Sequence, residues 1–287
     1  MSPKPDTVLR AITEDGAFRV VVCSTLNTIR ECVALQKASG EAARVFGDLL
    51  TGTILVRETM SPELRVQGLL QCGARGSRMV ADTHPDGATR GLVQLGGKSS
   101  TGGAILDPGS LLQMMRTLHN GSLHQGVVEV PTEGGISAAL MNYMQSSEQV
   151  VSMIAVATIF DGDEVRAAGG YIVQLLPEVD EGPLAVMTER LADFKSIDKL
   201  LAEGLAEPGV LLDEILYGMP FKRVGERPVG FGCQCNATRL TASLSTLPKK
   251  DIEDFVNDGS VLEIGCDYCG KQYRIAPESL RGLLARN

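Results

Sequence analysis

The chain has 287 residues, of which 44% are hydrophobic and 22% charged, and its formal net charge is -8. This length allows one substantial core and a smaller module, and the chain is too polar throughout for a membrane span, so we expect a soluble protein. The acidic balance disfavours nucleic-acid phosphates as the main ligand. No extended apolar stretch with a small-residue cleavage site stands at the N-terminus, so we expect no secretory signal and a reducing, cytoplasmic location.

Strand and helix patterns alternate over residues 8–174, with glycine frequent between them. Residues 18–23 are rich in β-branched side chains and predict a strand with a buried face. The apolar pattern of residues 26–55 predicts two helices in succession, because Ser39 and Gly40 interrupt it.

The next patterns predict strands joined by a tight turn. Residues 65–70 and 78–82 both read as strands. Asp86 and Gly87 stand between the second of these and residues 90–93, and both residue types tolerate a positive φ. The sequence therefore predicts a hairpin at this point.

The remainder of this region predicts mixed elements. Residues 111–118 suggest a short helix, residues 127–130 a strand and residues 142–149 another helix. Residues 153–160 and 168–174 are almost wholly apolar and flank a short polar turn, which predicts a second hairpin. We expect this hairpin to lie in the middle of the core.

A connector of about residues 180–230 is more acidic and predominantly helical in pattern. Pro183 suits the first turn of a helix, and residues 210–216 predict a second helix. Apolar residues recur in the first helix at three- and four-residue spacing, which predicts one apolar face. We call four of these residues the connector stripe: Leu184, Met187, Leu191 and Phe194. A stripe of this kind requires a folded neighbour to cover it.

Four cysteines near the C-terminus form the most specific pattern. Cys233 and Cys235 are separated from Cys266 and Cys269 by thirty residues. Two close pairs of thiolates, each supplied by one turn, suit the tetrahedral coordination of a single Zn²⁺ ion. Gly270 follows the second pair, and glycine there suits the left-handed turn of a zinc knuckle.

The four cysteines lie in a segment too short to form a large core. Residues 233–287 number 55, so we expect metal binding to supply most of the folding free energy of this module. Structural zinc contributes roughly 10 to 16 kcal/mol in small peptides. Oxidation of two of the four thiolates is therefore expected to unfold the module.

Several roles for the cluster remain open on spacing alone. A purely structural zinc site is one, and an iron site or a thioredoxin-type disulfide is disfavoured. A nucleic-acid zinc ribbon is also disfavoured, because residues 233–287 contain seven basic and seven acidic residues. The remaining cysteines, Cys23, Cys32 and Cys72, lie in mostly apolar contexts and are expected to be inert core residues.

The cysteine pattern, together with three other segments, resembles the heat-shock protein 33 family of redox-regulated chaperones. The resemblance covers essentially the whole chain. The segments that carry it are DTHPDGATRG at 82–91, YMQSSEQ at 143–149, AGGYIVQ at 168–174, FGCQC at 231–235 and CDYCGKQY at 266–273.

This resemblance implies a cytoplasmic holdase, not an enzyme, that is zinc-bound and inactive when reduced. Oxidants would cause zinc loss and two disulfides, Cys233 with Cys235 and Cys266 with Cys269. The resemblance also implies that the activated protein binds unfolding clients without ATP, forms a homodimer and passes clients to ATP-dependent refolding chaperones. It implies neither a nucleic-acid nor a membrane partner.

The sequence thus predicts an α+β fold with three parts: a core domain of mixed sheet and helix at 1–177, a helical metastable linker at 178–231 and a zinc-binding redox-switch domain at 232–287. The zinc module is the neighbour we expect to fold conditionally and to cover the connector stripe. Our hypothesis is that zinc loss frees the stripe for clients or for the dimer. The alternative is an enzyme or regulator with a purely structural zinc ribbon, which a pocket of convergent ionisable groups within residues 1–176 would favour.

Overall fold

The structure is a computed structural model. It describes residues 4–73, 76–96, 105–118, 120–177, 181–194, 197–204, 206–245 and 247–284. The chain divides into two compact units, the first ending at Gly232 and the second beginning at Cys233. Within the described ranges, no helix has both the length and the apolar character needed to cross a membrane. The predicted α+β class is confirmed.

The first unit consists of two sheets and the helices that cover them. Its strands are β1 (Thr7–Thr13), β2 (Phe18–Ser24), β3 (Arg65–Gln71), β4 (Arg78–Thr83), β5 (Ala88–Gln94), β6 (Leu111–Thr117), β7 (Leu123–Glu129), β8 (Ser152–Asp161), β9 (Glu164–Leu175), β10 (Phe221–Pro228) and β11 (Gly230–Phe231). Its helices are α1 (Leu26–Gln36), α2 (Gly40–Glu58), α3 (Gly135–Ser146), α4 (Glu181–Asp193), α5 (Ile197–Ala202) and α6 (Pro208–Ile215).

The two sheets differ in strand order, and each has an edge strand from the C-terminal part of the first unit. The first sheet has the order β10-β1-β2-β9-β8 and is antiparallel throughout. The second sheet has the order β11-β5-β4-β3-β6-β7 and is antiparallel except that β11 runs parallel to β5. The predicted linker therefore contributes an edge strand, β10 or β11, to each sheet.

Helix α2 lies between the two sheets and contacts strands of both. Its side chains are buried on almost every side, which explains why it has no charged residue from Leu49 to Val56. A Cβ atom at Gly47 would collide with the Thr158 side chain of β8. Glycine at this position therefore allows the close approach of α2 to the first sheet.

Most of the predicted elements of this unit are confirmed, and one is wrong. Residues 111–118 were predicted to be helical, but β6 pairs with β3 and β7 over Leu111–Thr117. Leu112 and Met114 are fully buried while their neighbours are more exposed, so the segment has the two-residue period of a strand. Pairing on both sides therefore outweighs the helical propensity of leucine and methionine.

One other prediction needs its bounds adjusted, and another is confirmed. The helix predicted at 142–149 is α3, which begins at Gly135 and ends at Ser146. The apolar hairpin of β8 and β9 is confirmed, and both strands contribute buried side chains to the two apolar clusters of the first unit, as expected of a hairpin in the middle of the core. Within the sheet, β8 forms an edge. Helices α2, α3 and α5 pack on β8, and this cover explains why an edge strand is so apolar.

The second unit is small. Its elements are α7 (Ala237–Leu244), α8 (Lys249–Asp258), β12 (Leu262–Gly265), β13 (Gln272–Ile275) and α9 (Pro277–Leu284). Strands β12 and β13 pair antiparallel. The buried apolar side chains among its described residues are Ile252, Ile275 and Leu280, with partly buried side chains around them. Such a core is small for an independently folding unit.

Candidate metal centre

Four cysteine side chains converge in the second unit. The Sγ atoms of Cys233, Cys235, Cys266 and Cys269 all lie within 4.8 Å of one another. The Sγ atom of Cys235 is 3.4 Å from that of Cys269, and the Sγ atom of Cys233 is 3.8 Å from that of Cys266. These two contacts join the two halves of the cluster. The structure therefore brings the predicted ligands together.

The second half of the cluster lies on the turn between β12 and β13. Gly270 has a φ of +71°, which is the left-handed conformation that the sequence predicted. Its N–H donates to the carbonyl oxygen of Cys266 at 2.7 Å, and the N–H of Cys266 donates to Lys271 at 2.9 Å. These bonds close the turn so that Cys266 and Cys269 lie on the same side of it.

The first half of the cluster precedes α7. The Asn236 side chain caps this helix by accepting a hydrogen bond from the N–H of Arg239 at 2.9 Å. The guanidinium of Arg239 donates to the carbonyl oxygen of Gln234 at 3.0 Å. The helix cap and the arginine therefore fix the backbone of the Cys-x-Cys segment.

Tyr273 contacts this centre, and sequence reasoning assigned it no role. Its hydroxyl lies 3.1 Å from the Sγ atom of Cys235 and donates to the carbonyl oxygen of the same residue at 2.9 Å. The ammonium of Lys271 lies 5.4 Å from the centre of the Tyr273 ring. Tyr273 is seven residues beyond Cys266, and only the β12–β13 register shows that it returns to the cluster.

The surroundings of the four thiols are unequal. Desolvation raises the pKa of Cys269 to about 12 and also raises that of Cys266. For Cys235, desolvation is outweighed by hydrogen bonds from Tyr273 and the other cysteines, which lower its pKa to about 7. Of Cys235, Cys266 and Cys269, Cys235 is the one whose anionic form the surroundings favour most.

The donor set fits a thiophilic metal ion. Four sulfur atoms within one metal-sized space match tetrahedral coordination. Cys266 is buried, and the other three cysteines are half-buried. The four side chains could therefore hold one metal ion with limited access to solvent.

The connector stripe lies in the first unit. Met187 and Leu191 are buried against the outer face of the first sheet, in a cluster with β2 and β9 residues such as Phe18 and Val173. Leu184 is 39% exposed. The cover of the stripe is thus this sheet, and our expectation that the zinc module supplies it is wrong. The physical reason is that an antiparallel sheet with apolar side chains on both faces needs helices on both.

Phe194 has a more specific contact. It follows the end of α4, and its ring stands edge-on to that of Tyr171 on β9, with centres 6.4 Å apart. The Tyr171 hydroxyl donates to the carbonyl oxygen of Phe194 at 3.1 Å. Leu184, at the other end of α4, lines an apolar cavity of about 290 Å³ under the helix. Met187 and Leu191 line the same cavity, so three of the four stripe residues border it.

The family of the chain follows from its comparison with known proteins. The family model described as "Hsp33 protein" matches residues 6–276. The chain belongs to the Hsp33 family. A relative named 33 kDa chaperonin from Clostridioides difficile (strain 630) is 28% identical over 97% of this chain and 98% of its own length. Another of that name, from Syntrophotalea carbinolica, is 26% identical over 98% and 99%.

A solved structure shows the same fold. The crystal structure of a 33 kDa chaperonin (heat shock protein 33 homolog) from Thermotoga maritima matches with a TM-score of 0.81. It is 23% identical in sequence, and the match covers 99% of each chain. The arrangement of sheets and helices described above is thus an Hsp33 fold, with the four-cysteine unit at its C-terminal end.

The three other cysteines of this Hsp33 chain are buried in the first unit. Burial raises the pKa of Cys32 to about 12 and that of Cys72 to about 11, and it raises that of Cys23 further. Because the thiolate is the reactive form, these thiols are poor nucleophiles. Their surroundings agree with the expectation of inert core residues.

If the protein were an enzyme, we would expect a pocket of convergent ionisable groups within residues 1–176. A cavity of about 930 Å³ lies between α2, α3 and β8 and is lined by Glu41, Arg44 and Asp48. Burial raises the pKa of Asp48 to about 7, and its Oδ1 atom has no hydrogen-bond partner. Among the described residues that line this cavity there is no histidine, cysteine or lysine. The cavity thus brings together three ionisable side chains of residues 1–176, which is the feature that the alternative called for.

Proposed function

We propose that the protein is a redox-regulated, ATP-independent holdase that binds unfolding proteins when oxidised. Membership of the Hsp33 family supports the chaperone class. The observation that carries the redox part is the convergence of four thiols in a unit whose described core is three buried side chains. A unit of this size depends on cross-links, so chemistry at the sulfur atoms should control whether it is folded.

In the reduced protein, Cys233, Cys235, Cys266 and Cys269 would hold one zinc ion as thiolates. When bound, zinc supplies four strong cross-links and keeps the sulfur atoms deprotonated. The β12–β13 turn and the cap of α7 position the two halves for this role. The folded second unit is then the resting form.

In the oxidised protein, the four thiolates would become two disulfides, Cys233 with Cys235 and Cys266 with Cys269. Each disulfide consumes one peroxide: two thiolates lose one electron each, the O–O bond breaks, and two hydroxide ions form. The disulfides cannot replace the metal, because each would join cysteines of the same half. The cross-link between the halves is lost, and the second unit unfolds.

The surface for clients would come from the connector. We propose three parts, a core at 1–177, a metastable linker at 178–231 and a redox-switch domain at 232–287. The boundary near 178 falls at residues outside the described ranges. Release of α4 from the first sheet would expose the stripe Leu184, Met187, Leu191 and Phe194, and the apolar sheet face beneath it. The cavity lined by Leu184, Met187 and Leu191 leaves the packing of α4 on the sheet incomplete, which would lower the free-energy cost of its release.

The setting and partners follow from the same proposal. A zinc-thiolate switch operates in a compartment that keeps thiols reduced at rest, so we place the protein in the cytoplasm. The exposed apolar surface would bind unfolding clients and a second copy of the chain in the active state. Because the proposed activity uses no ATP, clients would be released to ATP-dependent refolding chaperones.

The test follows zinc content, free thiols and protection of a heat-aggregating protein during exposure to hydrogen peroxide at elevated temperature. We expect no protection by the reduced, zinc-loaded protein, and protection that appears together with zinc release and the loss of four thiols. The Cys72→Ala variant serves as control and should behave as the wild type. Zinc retained throughout the active phase, or oxidation with zinc loss and no protection, contradicts the proposal.

A further inference from the structure

We infer that Tyr273 is a positioning residue of the metal centre, which holds Cys235 in place and slows oxidation of its thiolate by peroxide. This inference rests on the proposed metal site. It assigns a role to a residue outside the four ligands, and it makes the two halves of the centre chemically different.

The geometry of Tyr273 is specific to Cys235. Its hydroxyl oxygen is 3.1 Å from the Sγ atom of Cys235 and 2.9 Å from the carbonyl oxygen of the same residue. Tyr273 lies opposite Ile264 in the β12–β13 ladder, so the backbone that carries the ring is fixed by strand pairing. One hydroxyl therefore contacts both the side chain and the main chain of Cys235.

The two halves of the cluster receive hydrogen bonds from different sources. The Sγ atom of Cys266 faces main-chain amides of Tyr268 and Cys269, and the Sγ atom of Cys269 faces that of Lys271. The groups that face the Sγ atom of Cys235 are side chains, with Tyr273 first among the donors. A Cys-x-Cys segment has no knuckle turn to aim its amides at sulfur. Tyr273 supplies a side-chain hydroxyl at hydrogen-bond distance from the Cys235 sulfur.

The ionisation state of Cys235 determines the direction of the hydrogen bond. A thiol can donate to the tyrosine oxygen while the tyrosine hydroxyl donates to the carbonyl oxygen of Cys235. A metal-bound thiolate has no proton, so the tyrosine must donate if the contact is to be a hydrogen bond. In the resting protein, Tyr273 would thus donate to a negatively charged sulfur, as residues behind metal ligands commonly do.

This donation should reduce the reactivity of Cys235. In the first oxidative step, a thiolate attacks one oxygen of hydrogen peroxide, the O–O bond breaks, and sulfenic acid and hydroxide form. A hydrogen bond to the sulfur withdraws electron density from it and so weakens the nucleophile. Removing the hydroxyl should therefore make the Cys235 sulfur a better nucleophile and its position less fixed.

The test compares Tyr273→Phe with the wild type, both loaded with zinc, in hydrogen peroxide. We expect zinc release to be about fivefold faster in the variant, which corresponds to about 1 kcal/mol, the net free energy of a typical hydrogen bond. We also expect Cys235 to be labelled earlier by a sulfenic-acid trapping reagent, read by mass spectrometry. The matched control is Tyr217→Phe, which changes an exposed tyrosine of the first unit and should leave both readouts unchanged.

Equal rates and equal labelling in Tyr273→Phe overturn the inference. If the variant does not retain zinc, the wild-type protein loaded with cadmium-113 provides a second test. Scalar coupling between the metal and the Tyr273 hydroxyl proton is expected, and its absence overturns the inference. Neither readout uses a client. If Tyr273→Phe has no effect but the wild type still protects an aggregating protein, only the inference about Tyr273 fails. If Tyr273→Phe has the expected effect but the oxidised wild type gives no protection, only the proposed function fails.

Discussion

The first unit buries apolar side chains between its two sheets and again on the outer face of the first sheet, whereas the second unit buries Ile252, Ile275 and Leu280 among its described residues. The first unit also uses long antiparallel ladders, while the second has one hairpin of four residues per strand. In place of a large core, the second unit has four sulfur atoms within 4.8 Å of one another. Fold stability is thus a matter of packing in one unit and of sulfur chemistry in the other.

The largest expected effect is the loss of the metal ligands. Cys266→Ser should abolish tight zinc binding and unfold the second unit, because the cross-links contribute on the order of 10 kcal/mol to a unit of this size. Hydrogen exchange should show protection lost in β12 and β13 but retained in β2 and β9. The control Cys72→Ala should keep full zinc content. Retained protection in β13 without metal would contradict the claim that the second unit depends on its metal ligands for folding.

An intermediate effect is expected where the connector packs on the first sheet. Met187→Ala should destabilise the docked α4 by about 2 to 3 kcal/mol, because it leaves a cavity at a side chain that is 2% exposed. We expect the reduced, zinc-loaded variant to bind more of a hydrophobic dye than the wild type. Val186→Ala changes a neighbour on α4 that is 49% exposed and should have no such effect. Equal dye binding by the two variants would show that the sheet does not hold the stripe.

The smallest effect concerns a polar group inside the first unit. Burial raises the pKa of Asp48 from 3.8 to about 7, so the native state keeps a proton that the unfolded chain loses between these values. Stability should therefore fall as the pH rises from about 4 through 7. Asp48→Asn should remove this dependence and be more stable than the wild type at pH 8.

Thermal unfolding of Asp48→Asn and the wild type between pH 5 and pH 8 measures this difference. The exposed Glu41 lies on the same helix, and Glu41→Gln is the control that should follow the wild type. A parallel shift of Asp48→Asn at every pH would indicate a change in packing rather than the titration of a buried carboxyl group.

Much of the first unit was accessible from sequence because its signals are local. Strands β2, β3 and β4, the two successive helices and both hairpins have periodic apolar patterns with glycine or aspartate at the turns. The prediction of a helix in place of β6 was wrong because leucine and methionine occur in both helices and strands. Pairing with β3 and β7 makes this segment a strand. Strands β10 and β11 were missed because their residues are mostly exposed or half-buried and give no apolar pattern.

The sequence by itself determined the α+β class, the four sulfur donors and the apolar stripe of the connector, since spacing along the chain carries all three. Only the tertiary structure showed that the first sheet covers Met187 and Leu191, and that Tyr273 contacts Cys235. Both are contacts between residues far apart in the chain. The sequence of an amphipathic helix shows that one face must pack on an apolar surface, but it does not show which surface. No sequence pattern shows which atom will accept a hydrogen bond from a tyrosine hydroxyl.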